Sequence, residues 1–178
     1  MMNFEPESTR TKIRWAYLAS PYGFYEATRK FMDEALVPIL EKHGLAVLNP
    51  WDLSLPYKEE MRKAHTIKDY DERVHTLHQI DKQIGRDNID AIRQADIIVA
   101  VLDGPVIDVG VASEIGFAFG LKKLIIAYKG DNRLAGENIG VQVNIQVQSF
   151  IEESGGKIGL SLEEFDKILG NILAKIEG

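Results

Sequence analysis

The chain has 178 residues, with 21 Lys and Arg against 27 Asp and Glu and a formal net charge of −6. This acidic balance argues against the broad basic face that a nucleic-acid partner needs. No apolar run approaches the roughly 18 residues that span a bilayer, so no membrane partner is expected either. The absence of cysteine removes disulfides, thiolate metal centres and a cysteine nucleophile together, and it fits a cytoplasmic protein.

Met1 to Lys12 are polar and lack the apolar stretch of a secretory signal; they are expected as a loose tail ahead of one domain over residues 13–178. Ile13 to Ser20 reads as a first strand that runs into a turn-rich loop, Pro21-Tyr-Gly-Phe24. Tyr25 to His43 has helical spacing, with Gly44 placed to end it and Pro38 expected to kink it. Leu45 to Leu48 is a second strand, closed by Asn49-Pro50. Trp51 to Asp69 is long and mixed, the kind of connection that often serves as a lid. Tyr70 to Gln94 is helical, with Gly85 a candidate break. Asp96 to Leu102 is an unbroken apolar run of the kind that is buried on both sheet faces. A small-residue helix follows over Val109 to Leu121, then a strand over Lys123 to Tyr128 and a loop over Asp131 to Gly140. Val141 to Ile151 fits a short helix or a strand. Leu162 to Ile176 is amphipathic, opened by a capping box of Ser161 and Glu164. The alternation of strand and helix predicts a single doubly wound α/β domain, its parallel sheet of about five strands with the first four ordered 2-1-3-4.

In such a sheet a ligand sits beyond the carboxyl ends of the strands, where the strand order reverses. The loops after the first and third strands meet there. They bring Ser20, Tyr22 and Phe24 together with Asp103 and Asp108. Tyr22 and Phe24 can stack on a flat ligand or anchor their loop. Asp108 suits the N-cap of the following helix, and one of its oxygens can still face a cleft. Gly110 lets a ligand approach the helix closely. Glu114 is the outlier, because its helical neighbours Gly110, Val111, Phe117 and Ala118 carry no charge. It reads either as a nucleophile or general base, or as a carboxylate paired to an arginine elsewhere in the fold. Tyr17, at the end of the first strand, fits core packing with a satisfied hydroxyl. His75 and His78 share a helix face, but the sequence offers no partner ligands, so no metal is expected. The nucleotide-binding motifs G-x-G-x-x-G and G-x-x-x-x-G-K-[ST] are absent.

Three segments resemble the nucleoside 2-deoxyribosyltransferase family: Tyr17-Leu-Ala-Ser-Pro-Tyr-Gly-Phe24, Asn88-Ile-Asp-Ala-Ile-Arg-Gln-Ala-Asp96, and Asp108-Val-Gly-Val-Ala-Ser-Glu114-Ile-Gly. Val143-Asn144-Ile145 is similar to a later segment of that family. The resemblance implies a flavodoxin-like fold and ping-pong transfer of 2-deoxyribose between nucleobases, without a cofactor. It implies Glu114 as the nucleophile, Asp108 as a proton donor to the leaving base, and Tyr17 as the residue that positions Glu114. Asn88 stands where many members carry Asp; it keeps hydrogen bonding but loses acid–base capacity. Asn144 matches an asparagine that reaches the sugar 5′-hydroxyl from a neighbouring subunit, which implies a homo-oligomer with shared sites, a dimer or a hexamer built as a trimer of dimers. Ser20, Tyr22, Phe24, Asn88, Asp103, Gly110 and Asn144 are therefore expected to bind substrate, a 2′-deoxynucleoside or a free nucleobase. Two alternatives stay open. One is a 2′-deoxynucleoside 5′-phosphate N-glycoside hydrolase using the same Glu114, with Ser20 and Ser113 toward the phosphate. The other is a nucleotide-binding module without catalysis.

Overall fold

In a computed structural model, which describes residues 14–177, β1 (Trp15–Ala19), β2 (Ala46–Leu48), β3 (Ile97–Val101), β4 (Leu124–Tyr128) and β5 (Ile158–Gly159) run parallel in one sheet. The order is β2-β1-β3-β4-β5, the doubly wound order that the strand–helix alternation predicts. The fifth strand has only two residues, too few for any periodicity to announce it. Ile13 and the expected tail over 1–12 lie outside the described residues.

Side chains alternate across a strand, so β1 feeds two cores. Ala16 and Leu18 face α1 (Glu26–Phe31), α2 (Val37–Lys42) and α8 (Leu162–Glu177), where Met32, Leu36, Leu40, Phe165 and Leu169 are fully buried. Tyr17 and Ala19 face α5 (Tyr70–Gln94), α6 (Val109–Gly120) and α7 (Ile145–Glu153), against Ile92, Val111, Ile115 and Ile151. All five residues of β3 are completely buried, as its unbroken apolar run implies. Truncating one of these large side chains to alanine costs about 2–5 kcal/mol.

Local chemistry accounts for the remaining boundaries. Between α1 and α2 the chain makes one π turn, Met32–Leu36, in which the Val37 N–H reaches back to the Met32 carbonyl. Pro38 lacks an N–H and crowds the carbonyl four residues before it; the wider turn lies just ahead of it. Gly85 does not break α5, which runs unbroken for 25 residues. A Cβ there would meet nothing within 4 Å, so that glycine only lowers helix propensity. The capping box of α8 is displaced by one residue: Ser161 Oγ accepts from the Glu164 N–H at 3.1 Å, but Glu164 accepts from Leu160 at 2.9 Å. Asp96 Oδ2 accepts the backbone N–H groups of Arg14 at 2.8 Å and Trp15 at 2.9 Å, tying the start of β1 to the start of β3.

The segment after β2 is ordered as two short helices, α3 (Pro50–Leu53) and α4 (Lys58–Ala64), joined by a 3-10 turn, Leu55–Tyr57. The Tyr57 hydroxyl donates to Asp87 Oδ2 at 2.5 Å, and Gln83 donates to the other oxygen at 2.9 Å, so the segment is fastened to α5. Among the described residues no helix is long and apolar enough to cross a membrane.

Candidate active site

A cleft of about 230 Å³ opens at the carboxyl ends of β1 and β3. The β1–α1 loop contributes Ser20 and Phe24, and α3 with the turn after it contributes Pro50, Trp51 and Ser54. Ile84 and Asn88 come from α5, and Asp108, Gly110, Val111 and Glu114 come from the start of α6. Among the described residues no Lys or Arg lines it.

Glu114 takes its partner from the strand beneath. The hydroxyl of Tyr17, which is fully buried, donates to Glu114 Oε1 at 2.6 Å. Burial pushes the Glu114 carboxyl up to about 7; the Tyr17 hydrogen bond pulls it down, and the nearby Asp108 charge adds a smaller rise. The Tyr17 hydroxyl is itself raised by burial and by the carboxylate it faces. The arginine-paired alternative for Glu114 is not what the fold builds: its hydrogen bond comes from a neutral phenol.

Asp108 is the N-cap of α6, its Oδ2 accepting from the Val111 N–H at 3.1 Å. A Cβ on Gly110 would stand 2.9 Å from that same oxygen, so the glycine two residues on leaves room for the capping carboxylate. Asn88 faces the cleft from α5, with its Oδ1 buried and without a hydrogen-bond partner among the described residues. Asp87, one residue earlier, points toward Tyr57.

The expected residues separate into three groups. Glu114, Asp108, Ser20, Phe24, Asn88 and Gly110 line the cleft, with Tyr17 behind Glu114. Tyr22 and Asp103 line an adjoining cavity of about 640 Å³ that shares Phe24 and Asp108 with the cleft. Tyr22 is 7 % exposed, too enclosed to stack on a ligand, and its hydroxyl donates to Asp103. Asp103 accepts the Asp131 N–H at 2.9 Å through its other oxygen. Asp131 pairs with Arg133, which holds its carboxyl below the usual range. Lys129, 2 % exposed, donates to the carbonyls of Asp131 and Arg133. Tyr22 and Asp103 thus anchor the loops that frame the cleft. Asn144 caps α7, donates to Glu137 Oε1 at 2.6 Å, and lines a third cavity with no residue in common with the cleft. Ser113 lies there too, its hydroxyl donating to the Val109 carbonyl. His75 and His78 are exposed on α5, and no group of three metal-ligating side chains occurs among the described residues.

Trp51, Pro50, Ser54 and Ile84 complete the cleft without having been singled out in the sequence. Asn49-Pro50 carried the signal. It is an N-cap and first-turn pair, with Asn49 Oδ1 accepting from the Trp51 N–H at 3.1 Å, and so it starts a helix as well as closing a strand.

A comparison with curated proteins finds no match. Among solved structures, a conserved protein from Enterococcus faecalis V583 superposes with a TM-score of 0.66 at 22% identity, covering 90% of this chain and 99% of that one. A 2-deoxyribosyltransferase from Leishmania mexicana gives 0.59 at 19% identity, covering 90% and 97%. The CMP N-glycosidase BcmB of Clostridium botulinum gives 0.53 at 19% identity, covering 89% and 99%. These likenesses show the fold. The family model of nucleoside 2-deoxyribosyltransferases matches residues 16–169, a span that holds the whole sheet from Ala16 onward and every residue of the cleft. This chain belongs to the nucleoside 2-deoxyribosyltransferase family, and so to enzymes that transfer or hydrolyse glycosyl groups of small nucleoside-type molecules.

Proposed function

We propose that this protein moves 2-deoxyribose from one nucleobase to another through a covalent deoxyribosyl-Glu114 ester. Glu114 attacks C1′ of a 2′-deoxynucleoside, and the bond from C1′ to the base nitrogen breaks with its electron pair going to the base. The Asp108 carboxyl gives that nitrogen a proton. An acceptor base then attacks C1′ through a ring nitrogen, displaces the Glu114 carboxylate and returns its proton to Asp108. Both steps pass through an oxocarbenium-like state that a carboxylate stabilises. Tyr17 holds one Glu114 oxygen and leaves the other for attack.

The supporting observation is a carboxyl group held by a buried phenol on a cleft to which the described residues bring a second carboxyl and no cationic side chain. Two acidic groups without a Lys or Arg suit an uncharged nucleoside and disfavour a 5′-phosphate, which favours transfer between nucleosides over hydrolysis of a nucleotide. Asn144 lies on a different cavity of the same chain. In this reading it serves the site of a second copy, in a dimer-based homo-oligomer.

Base exchange tests the proposal. Deoxyinosine is incubated with and without adenine, beside a Glu114→Ala control. Deoxyadenosine forming only with adenine and with Glu114 intact is the expected result. Free hypoxanthine without exchange identifies a hydrolase, and no reaction removes the chemistry assigned to Glu114.

A further inference from the structure

We propose that Trp51 is the fixed wall against which the nucleobase stacks, and that it positions bases of different kinds alike; this rests on the nucleoside reading above. Four separate restraints hold Trp51 in place, one on its backbone and three on its indole. Asn49, 4 % exposed, caps α3 at the Trp51 N–H. The indole Nε1–H donates to the Ser20 carbonyl at 3.0 Å. The Phe24 ring meets it edge to face, with centroids 4.6 Å apart and planes at 81°. The backbone at Gly23 lies directly under the ring, where a Cβ would be 2.0 Å from Trp51 Cδ2. The polar end of the indole is consumed by Ser20, so what it offers the cleft is apolar ring surface.

The lining of the cleft offers both kinds of surface that its substrate would need. Asp108, Glu114 and Asn88 are polar; Trp51, Phe24 and Ile84 are apolar. An N-glycoside pairs the same two kinds of surface, a hydroxylated sugar whose C1′ must reach Glu114 and a flat base with two π faces. With C1′ at the carboxylates, the base is left to the aromatic ring that shares the cleft. A ring already immobilised loses no further rotamer freedom when a ligand arrives. Stacking on such a ring tolerates different bases, because each has a π face. Trp51 therefore positions the base and takes no part in bond making.

The chain has two tryptophans, so a Trp15→Phe protein reports from Trp51 alone. Adenine and deoxyadenosine are expected to quench its emission saturably, whereas 2-deoxyribose leaves it unchanged. Trp51→Ala is expected to raise the KM for acceptor adenine roughly tenfold, with Trp51→Phe recovering most of the loss. A change confined to folding would not produce quenching of the native ring by the base. Absence of quenching by both adenine compounds overturns the inference, as does a folded Trp51→Ala enzyme with unchanged KM. If Trp51→Ala does not fold, the quench and the Trp51→Phe constants decide alone. Quenching by adenine in a protein that neither exchanges nor hydrolyses nucleosides leaves the wall standing and removes the proposed reaction.

Discussion

The Tyr17 hydroxyl and Glu114 Oε1 stand 2.6 Å apart although 97 positions separate them in the chain. That bond opposes the burial that drives the carboxyl up to about 7. Tyr17→Phe removes the opposition, so the Glu114 carboxyl rises further and less of it is ionised at neutral pH. The ascending limb of the kcat/KM profile is expected to move to higher pH, with activity at pH 7 down about tenfold and partly recovered above pH 8. An unshifted limb would separate Tyr17 from the ionisation of Glu114.

Stability should carry the same signature. The Glu114 carboxyl is higher in the fold than its ordinary 4.5, so the folded protein holds that proton more tightly than the unfolded chain does. Ionising the group in the fold costs nothing below pH 4.5, costs progressively more as the pH climbs to 7, and levels off near 3 kcal/mol, on the order of what such a displacement implies. Glu114→Gln removes the cost. Its melting temperature is expected to exceed that of the native protein at pH 8, and the gap should narrow toward pH 5. A gap that widens on acidification contradicts this account.

Asp108 caps α6 and, in the proposed reaction, donates a proton, and substitution can separate the two. Asparagine caps a helix about as well as aspartate, whereas alanine loses about 1 kcal/mol. Asp108→Asn should therefore melt close to the native protein while kcat/KM falls by roughly a hundredfold or more, the scale of a lost general acid. Asp108→Ala should lose both. Full activity in the asparagine variant would reduce Asp108 to a cap.

Tyr57 closes the α3–α4 segment onto α5 through Asp87. Tyr57→Phe deletes that bond and should cost about 1 kcal/mol. Because the same segment carries Pro50, Trp51 and Ser54 into the cleft, the KM for the base should rise more than kcat falls. Faster amide exchange confined to residues 50–64 would locate the loosening; uniform exchange throughout the chain would rule out a local latch.

The sheet was legible because each central strand is a short apolar run between helical patterns, and the α6 site was legible because Glu114 is a charge without a helical neighbour to explain it. Asp108 declared itself through capping preference. What the sequence hid was tertiary. The Tyr17–Glu114 pair depends on which face of β1 the tyrosine occupies, and core packing with a satisfied hydroxyl describes it well until the acceptor is known to be Glu114. Trp51 stood in a segment with no clear period, and its partners are a glycine, a carbonyl and a phenylalanine from another loop. Asp103 carries the charge of a ligand-binding residue, yet its oxygens are taken by Tyr22 and the Asp131 backbone.

Asp96 lies at the amino ends of the strands, opposite the cleft, where its carboxylate grips two consecutive N–H groups of the chain entering β1. A strand that slips by one residue turns every side chain to the other face. Such a slip would carry Tyr17 into the α2–α8 core and leave Glu114 with no phenol beneath it. A carboxylate at the far end of the strand from the cleft thereby fixes the parity on which the Tyr17–Glu114 pair depends. Its replacement would appear in an activity screen as a catalytic defect, although the lesion lies in the counting of residues along β1.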